Sequence, residues 1–148
     1  MRVLLQRVSR ASVTVRGEVV ASIGSGLLLL VGVGRDDAAG EVDRLAEKVA
    51  TLRVFEDGGG KMNLALADVG GEVLVVPQFT LYGDVRRGRR PSWDAAAPPE
   101  PAAERLEGFV GALEARGLKV LRGAFREHME VELVNDGPVT LWLDATTL

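Results

Sequence analysis

The chain has 148 residues, 47% hydrophobic and 26% charged, a balance that fits one domain (1–148) with a real core. It has no cysteine and only one histidine, His128, which excludes a disulfide framework and a thiol nucleophile and leaves a structural zinc ion without ligands. The net charge of −3 argues against general avidity for nucleic acid, so any RNA partner must be held by a local patch.

The opening "MRVLLQRVSR" lacks a signal-peptide core, and "RVLLQRV" reads as a short apolar strand. "SVTVRGEVVAS" alternates with period two around Arg16-Gly17, the pattern of a hairpin with a two-residue loop. "GLLLLVGVG" is continuous rather than alternating, as a strand covered on both faces would be. It is the longest apolar run and falls well short of the roughly 20 residues that cross a bilayer, so a cytoplasmic protein is expected. In "RDDAAGEVDRLAEKVATLRVF" the period changes. Val42, Leu45, Ala46, Val49 and Leu52 fall at helical spacing, with Asp36 or Asp37 as N-cap and Gly40 as a weak point near the start. "EDGGGKMN" is a turn, and "EVLVVPQFTLYG" a strand interrupted by Pro77. "DVRRGRRPSWDAAAPPEPAA" is irregular, and a second helix is expected from about Pro101 to Arg116, with Leu106, Phe109, Val110 and Leu113 as its stripe and Gly117 as its stop. "LKVLRGAF", "HMEVELV" and "PVTLWLD" supply the last strands, the latter two joined by a turn at Asn135-Asp136-Gly137. The whole reads as an α+β domain with a curved, largely antiparallel sheet and two main helices.

Little of the usual catalytic equipment is present. "GSGLLLLVGVG" and "DGGGKMN" lack the spacing of phosphate-binding loops and are better read as turns. His128 has no serine marked as its partner, so a histidine relay has nothing to run through. Arg86, Arg87, Arg89 and Arg90 form a dense positive cluster, either a solvated loop or a contact to phosphates. Gln78, Phe79 and Thr80 bring an amide, a ring and a hydroxyl to a strand end. Periodicity alone makes Phe79 a core residue; a functional reading lets it stack on a base.

Two segments change that balance. "QFTL" at Gln78 to Leu81 and "NDGPVT" at Asn135 to Thr140 resemble the paired motifs of the D-aminoacyl-tRNA deacylases, also called D-tyrosyl-tRNA deacylases. "QRVSRASVTV", "GEVV", "GLLLLVGV", "GKMN", "RRPSW" and "VNDGPVTLWLD" follow in the same order and extend the likeness over nearly the whole chain. The resemblance implies a homodimer with a barrel-like sheet that hydrolyses the ester joining a D-amino acid to the 3′ end of tRNA. It also implies removal of glycine from mischarged tRNA, with no metal or cofactor. Gly137-Pro138 would be a cis peptide inserted into the partner's active site, with Arg7 as its support. Gln78 and Thr80 would be catalytic, and Phe79 and Met129 would line the site beside the terminal adenosine. The arginine cluster would then reach the acceptor stem.

Carbonyls of the Gly137-Pro138 segment would accept hydrogen bonds from the substrate's α-ammonium group, so that an L side chain collides with backbone while a D side chain points to open space. Thr80 would act through its hydroxyl or, preferably, through its backbone N–H as an oxyanion donor, since no base stands beside the hydroxyl. One departure stands out: position 77, usually serine in this family, is proline, which has neither hydroxyl nor N–H. A non-catalytic RNA-binding module and a small dimeric esterase on free acyl esters are the competing expectations.

Overall fold

In the computed structural model, which describes residues 1–148, the fold grows from one long strand, β1 (Arg2–Val15). Along one edge β1 pairs antiparallel with β2 (Glu18–Ile23), through Ala11 to Val15, and with β3 (Gly26–Gly32), through Arg2 to Val8. The turn into β2 is Arg16-Gly17, both with positive φ (49° and 78°), the two-residue loop expected. Between β3 and the rest of the sheet come helix α1 (Gly40–Thr51) and a small ribbon of β4 (Phe55–Glu56) and β5 (Met62–Leu64). Then β6 (Glu72–Pro77) joins β3 in parallel; after helix α2 (Pro99–Glu114), β7 (Lys119–Arg122) joins β6, also in parallel. The last strand, β8 (Glu130–Asp144), takes the other edge of β1 along almost its full length. The result is the expected α+β domain with two helices and a nearly closed, barrel-like sheet. Two parallel pairings supplement its antiparallel half. No helix is long and apolar enough to cross a membrane.

β3 lies in the middle of this sheet and is covered on both faces, as its unbroken apolar run requires. Leu27, Leu29 and Val31 belong to the larger core beneath α1 and α2, while Leu28 belongs to a second core enclosed by the curl of the sheet. β6 divides in the same way, with Val73 and Val75 on one side and Leu74 and Val76 on the other. β1 serves both cores by changing face. Val3 and Leu5 point to the larger core and Ala11, Val13 and Val15 to the smaller one. All five are odd-numbered, so the alternation must slip between them. The slip coincides with a register irregularity between Val8 and Arg10.

The helices bury the stripes read from their spacing: Leu45, Ala46 and Val49 on α1, and Leu106, Phe109, Val110 and Leu113 on α2. Each of these side chains larger than alanine contributes about 1.5–3 kcal/mol on full burial. α2 begins at Pro99, two residues ahead of expectation. Its last residue, Glu114, falls two short of the expected Arg116, but the chain turns off at Gly117 as expected, with Gly117 at φ 82°, Gly117 N–H on the Glu114 carbonyl (2.9 Å) and Leu118 N–H on the Leu113 carbonyl (3.3 Å). The expected cap of α1 is corrected. Its N-cap is Ala39, because Asp37 is buried elsewhere, accepting from Gly34 N–H at 2.5 Å and pairing with the Met1 ammonium at 2.8 Å.

The turn expected at Asn135-Asp136-Gly137 is corrected as well. "HMEVELV" and "PVTLWLD" are halves of one strand, not the arms of a hairpin. Both halves of β8 pair with β1, and between the pairs Val8↔Asn135 and Gln6↔Thr140 the chain bulges outward and returns to the same neighbour. Gly137-Pro138 sits in that excursion as a cis peptide, solvent-exposed at both residues.

Candidate active site

β6 delivers the first motif. Pro77 is its last residue and pairs with Val31, after which Gln78 N–H donates to the Val31 carbonyl at 2.8 Å. The β6–β7 pairing has already stopped at Val75↔Arg122, so proline's missing N–H removes no ladder bond here. The chain then makes one 3-10 turn, Phe79–Tyr82, held by Leu81 N–H on the Gln78 carbonyl (3.3 Å) and Gly83 N–H on the Thr80 carbonyl (3.0 Å). Gly32 lets this turn sit down on β3. A Cβ at that position would stand 2.9 Å from the Gln78 carbonyl oxygen and 3.1 Å from Leu81 Cβ. Arg2 ties the turn from the other side, donating to the Leu81 carbonyl at 3.1 Å and to Asp144 at 3.1 Å while its guanidinium lies 4.3 Å from the Tyr82 ring centre. Tyr82 in turn donates to Asp37 at 3.1 Å. Burial, and then the Asp37 charge, push its phenol well above the ordinary tyrosine value.

On this braced turn the Gln78 side-chain amide donates to the Thr80 hydroxyl. The N–H groups of Phe79 and Thr80 open the turn and find no acceptor within the chain, as the first donors of a helical turn do not. Phe79 is 57% exposed, too open for the core position that periodicity assigned to it, and meets Trp93 edge-on with ring centres 5.3 Å apart.

Gln78 and Phe79 form one side of an apolar cleft of about 580 Å³. The ends of β3 and β6, Trp93, the start of α2 and the β7–β8 connection with Phe125 and Met129 supply the rest. Of the residues expected to form the site, Gln78, Phe79 and Met129 therefore come together here, and Thr80 stands exposed on the same turn. Trp93, Phe125, Arg126 and Glu127 also line the cleft but were not picked out from the sequence. An aromatic residue closing an arginine-rich stretch was the available sign for Trp93.

Arg7, Gly137 and Pro138 form a second constellation, outside this cleft. Arg7 is buried beneath the β8 excursion, where Nε donates to the Asp136 carbonyl at 3.0 Å and Nη1 to the Val54 carbonyl at 2.5 Å. The Asp136 carboxylate is 3.4 Å from Nε. Asn135 closes the neck, its side-chain amide donating to the carbonyls of Arg7 (2.9 Å) and Val139 (3.1 Å). Gly137 has φ 151°, and a Cβ there would collide with the Val139 backbone nitrogen and stand 3.2 Å from Arg7 Nη2.

The four arginines project from a loop pinched at its base by the bridge Asp84↔Ser92. They are not equivalent. Arg86 is tied to Asp84, with Nη2 on one carboxylate oxygen at 2.6 Å and Nε on the other at 2.9 Å; this pairing holds the Asp84 carboxyl down at about 2. Arg87, Arg89 and Arg90 are exposed and make no ion pair within the chain.

The sequence profile described as D-Tyr-tRNA(Tyr) deacylase matches residues 4–144. A D-aminoacyl-tRNA deacylase of Koribacter versatilis is 61% identical over 145 residues, 98% of this chain and 97% of that protein. One of Thermomicrobium roseum is 60% identical over 148 residues, 100% of this chain and 96% of that protein. Among solved structures, one described as c-Myc DNA Unwinding Element Binding Protein superimposes with a TM-score of 0.90 at 38% identity, covering 97% of this chain and 98% of that one.

Proposed function

The chain belongs to the D-Tyr-tRNA(Tyr) deacylase family, and on that basis we propose how its residues carry out the hydrolysis of D-aminoacyl-tRNA. The protein is a D-aminoacyl-tRNA deacylase, a hydrolase that cleaves the ester between the amino acid and the terminal ribose and releases free D-amino acid and tRNA. The observation that carries our reading of the site is the Gln78–Thr80 turn, which presents two unused backbone donors beside an apolar cleft edged by exposed aromatic rings.

An aminoacyl ester is already activated, so placing water and stabilising the developing oxyanion suffices for catalysis. We assign the N–H of Thr80, with that of Phe79 next to it, to the oxyanion; a well-placed donor of this kind is worth about 3–4 kcal/mol. The Thr80 hydroxyl accepts from Gln78 and has no base at hand, which favours the backbone role over attack by the hydroxyl. The terminal adenine enters the cleft against Phe79, with Met129 also in the lining.

Discrimination between D and L falls to Gly137-Pro138, which we place in the active site of a second protomer. Its exposure, its absence from the lining of its own chain's cleft and its bracing by Arg7 and Asn135 fit a rigid element offered outward. Its carbonyls take the substrate ammonium, and its backbone occupies the space an L side chain would need. Glycine has no side chain to exclude, so glycyl-tRNA is a substrate as well. Arg87, Arg89 and Arg90, with Arg86 anchored by Asp84, hold acceptor-stem phosphates. We place the enzyme in the cytoplasm as a homodimer.

Deacylation of matched D-Tyr-tRNA and L-Tyr-tRNA by the purified protein tests this reading directly. Rapid release from the D ester with the L ester spared is expected. Binding without cleavage would leave an RNA-binding module, and cleavage blind to chirality an esterase.

A further inference from the structure

Only two charged side chains line the cleft, Arg126 and Glu127, both from the β7–β8 connection. Glu127 is already committed, since its carboxylate accepts from Arg16 Nη2 at 2.9 Å across from the β1–β2 turn. Arg126 has no such partner: it makes no ion pair or side-chain hydrogen bond within the chain. Its backbone is held at φ 61°, a left-handed conformation that non-glycine residues adopt rarely and at some cost. An exposed guanidinium without a partner in the chain is thus carried by a residue lining a cleft that is otherwise mostly apolar.

That charge restricts what can lie beside it. The substrate's α-ammonium would be repelled, whereas a phosphodiester would be attracted and could be gripped by two N–H groups at once. An adenosine lying in the cleft through its base carries such a group on its 5′ side, and this is the nearest negative charge to the reacting ester. Resting on the deacylase reading above, we propose that Arg126 is a substrate-binding residue that pairs with the phosphodiester immediately 5′ of the terminal adenosine, so that the cleft reads the RNA end and not the nucleoside alone. This contact is separate from the arginines of the 84–92 loop, which belong to another part of the chain.

The test compares the wild type with Arg126→Gly and Arg126→Lys on D-Tyr-tRNA over a range of salt concentrations. Glycine accepts the left-handed backbone without strain, so Arg126→Gly removes the guanidinium while leaving the connection free to keep its path. The expected result for it is a loss of about tenfold or more in kcat/KM at low salt, carried by KM. The plot of log kcat/KM against log salt should also become shallower by about 0.7–0.9, the loss of one phosphate contact. Arg126→Lys should retain the slope. An unchanged slope in Arg126→Gly, or a loss confined to kcat, overturns the proposal while leaving the deacylase reading intact. A wild-type protein that fails to cleave D-Tyr-tRNA overturns both.

Discussion

Replacing Arg7 with methionine keeps a side chain of similar length and removes the charge beneath the β8 excursion. Two charge-assisted hydrogen bonds disappear, those to the carbonyls of Asp136 and Val54, each worth about 1.5–3 kcal/mol. Against this, the guanidinium of a residue only 6% exposed no longer has to be stripped of water. The Asp136 carboxylate is half exposed and can be solvated once its partner is gone. The net cost is about 2–4 kcal/mol, and at about 2–4 °C per kcal/mol for a chain of this size it lowers the melting temperature by about 5–15 °C. The functional consequence is more specific. If Arg7 braces the chiral selector, then well below its melting point Arg7→Met should lose much of its preference for D-Tyr-tRNA over L-Tyr-tRNA. Turnover of glycyl-tRNA, which presents no side chain to exclude, should fall less. Calorimetry combined with the three deacylation rates provides the measurement. A variant that melts with the wild type, or one that is destabilised yet keeps its D-to-L ratio, refutes the bracing role.

Two further outcomes follow from the turn that carries the first motif. Thr80→Ala removes the hydroxyl but keeps the backbone N–H, so deacylation of D-Tyr-tRNA should stay within about tenfold of wild type; a fall of a thousandfold or more would make the hydroxyl the acting group. Tyr82 is the only tyrosine, so its ionisation can be followed alone by tyrosinate absorbance. Its phenol is raised by burial and by Asp37, so its contribution to stability is complete below the unfolded value of about 10 and declines above it, as the unfolded chain ionises first. The absorbance should therefore stay flat through about pH 10 while the protein remains folded, and a midpoint there would contradict the partly buried hydrogen bond to Asp37.

Local pattern carried much of this architecture. The β3 run, the Arg16-Gly17 turn, both helical stripes and the Gly117 stop are decided by neighbours in sequence, and each is present where its residues indicate. The failures have a common cause. Asp37 is a good N-cap by type, but its carboxylate is drawn instead to the Met1 ammonium and Tyr82, partners far away in the chain. Asn135-Asp136-Gly137 has the composition of a hairpin loop, and only the discovery that β1 lies beside both flanks shows it to be an excursion from one strand. Within the site, Gln78, Phe79 and Thr80 were visible as a motif. The cleft around them was not, because Trp93 and Arg126 reach it from segments brought in by α2 and β7.

The way β8 leaves and rejoins its ladder also bears on how such a protein changes over time. Both ends of the Gly137-Pro138 segment are fastened to a single neighbour, β1, so a change of length at its exposed tip, residues 136–138, would be taken up in the protrusion, at the cost of the Arg7 bond to Asp136, while the flanking pairs Val8↔Asn135 and Gln6↔Thr140 keep their partners. The barrel would then tolerate a taller or a flatter crest without unzipping. If that crest sorts stereochemistry as proposed above, a descendant could acquire a different taste by editing a handful of codons, leaving its architecture untouched.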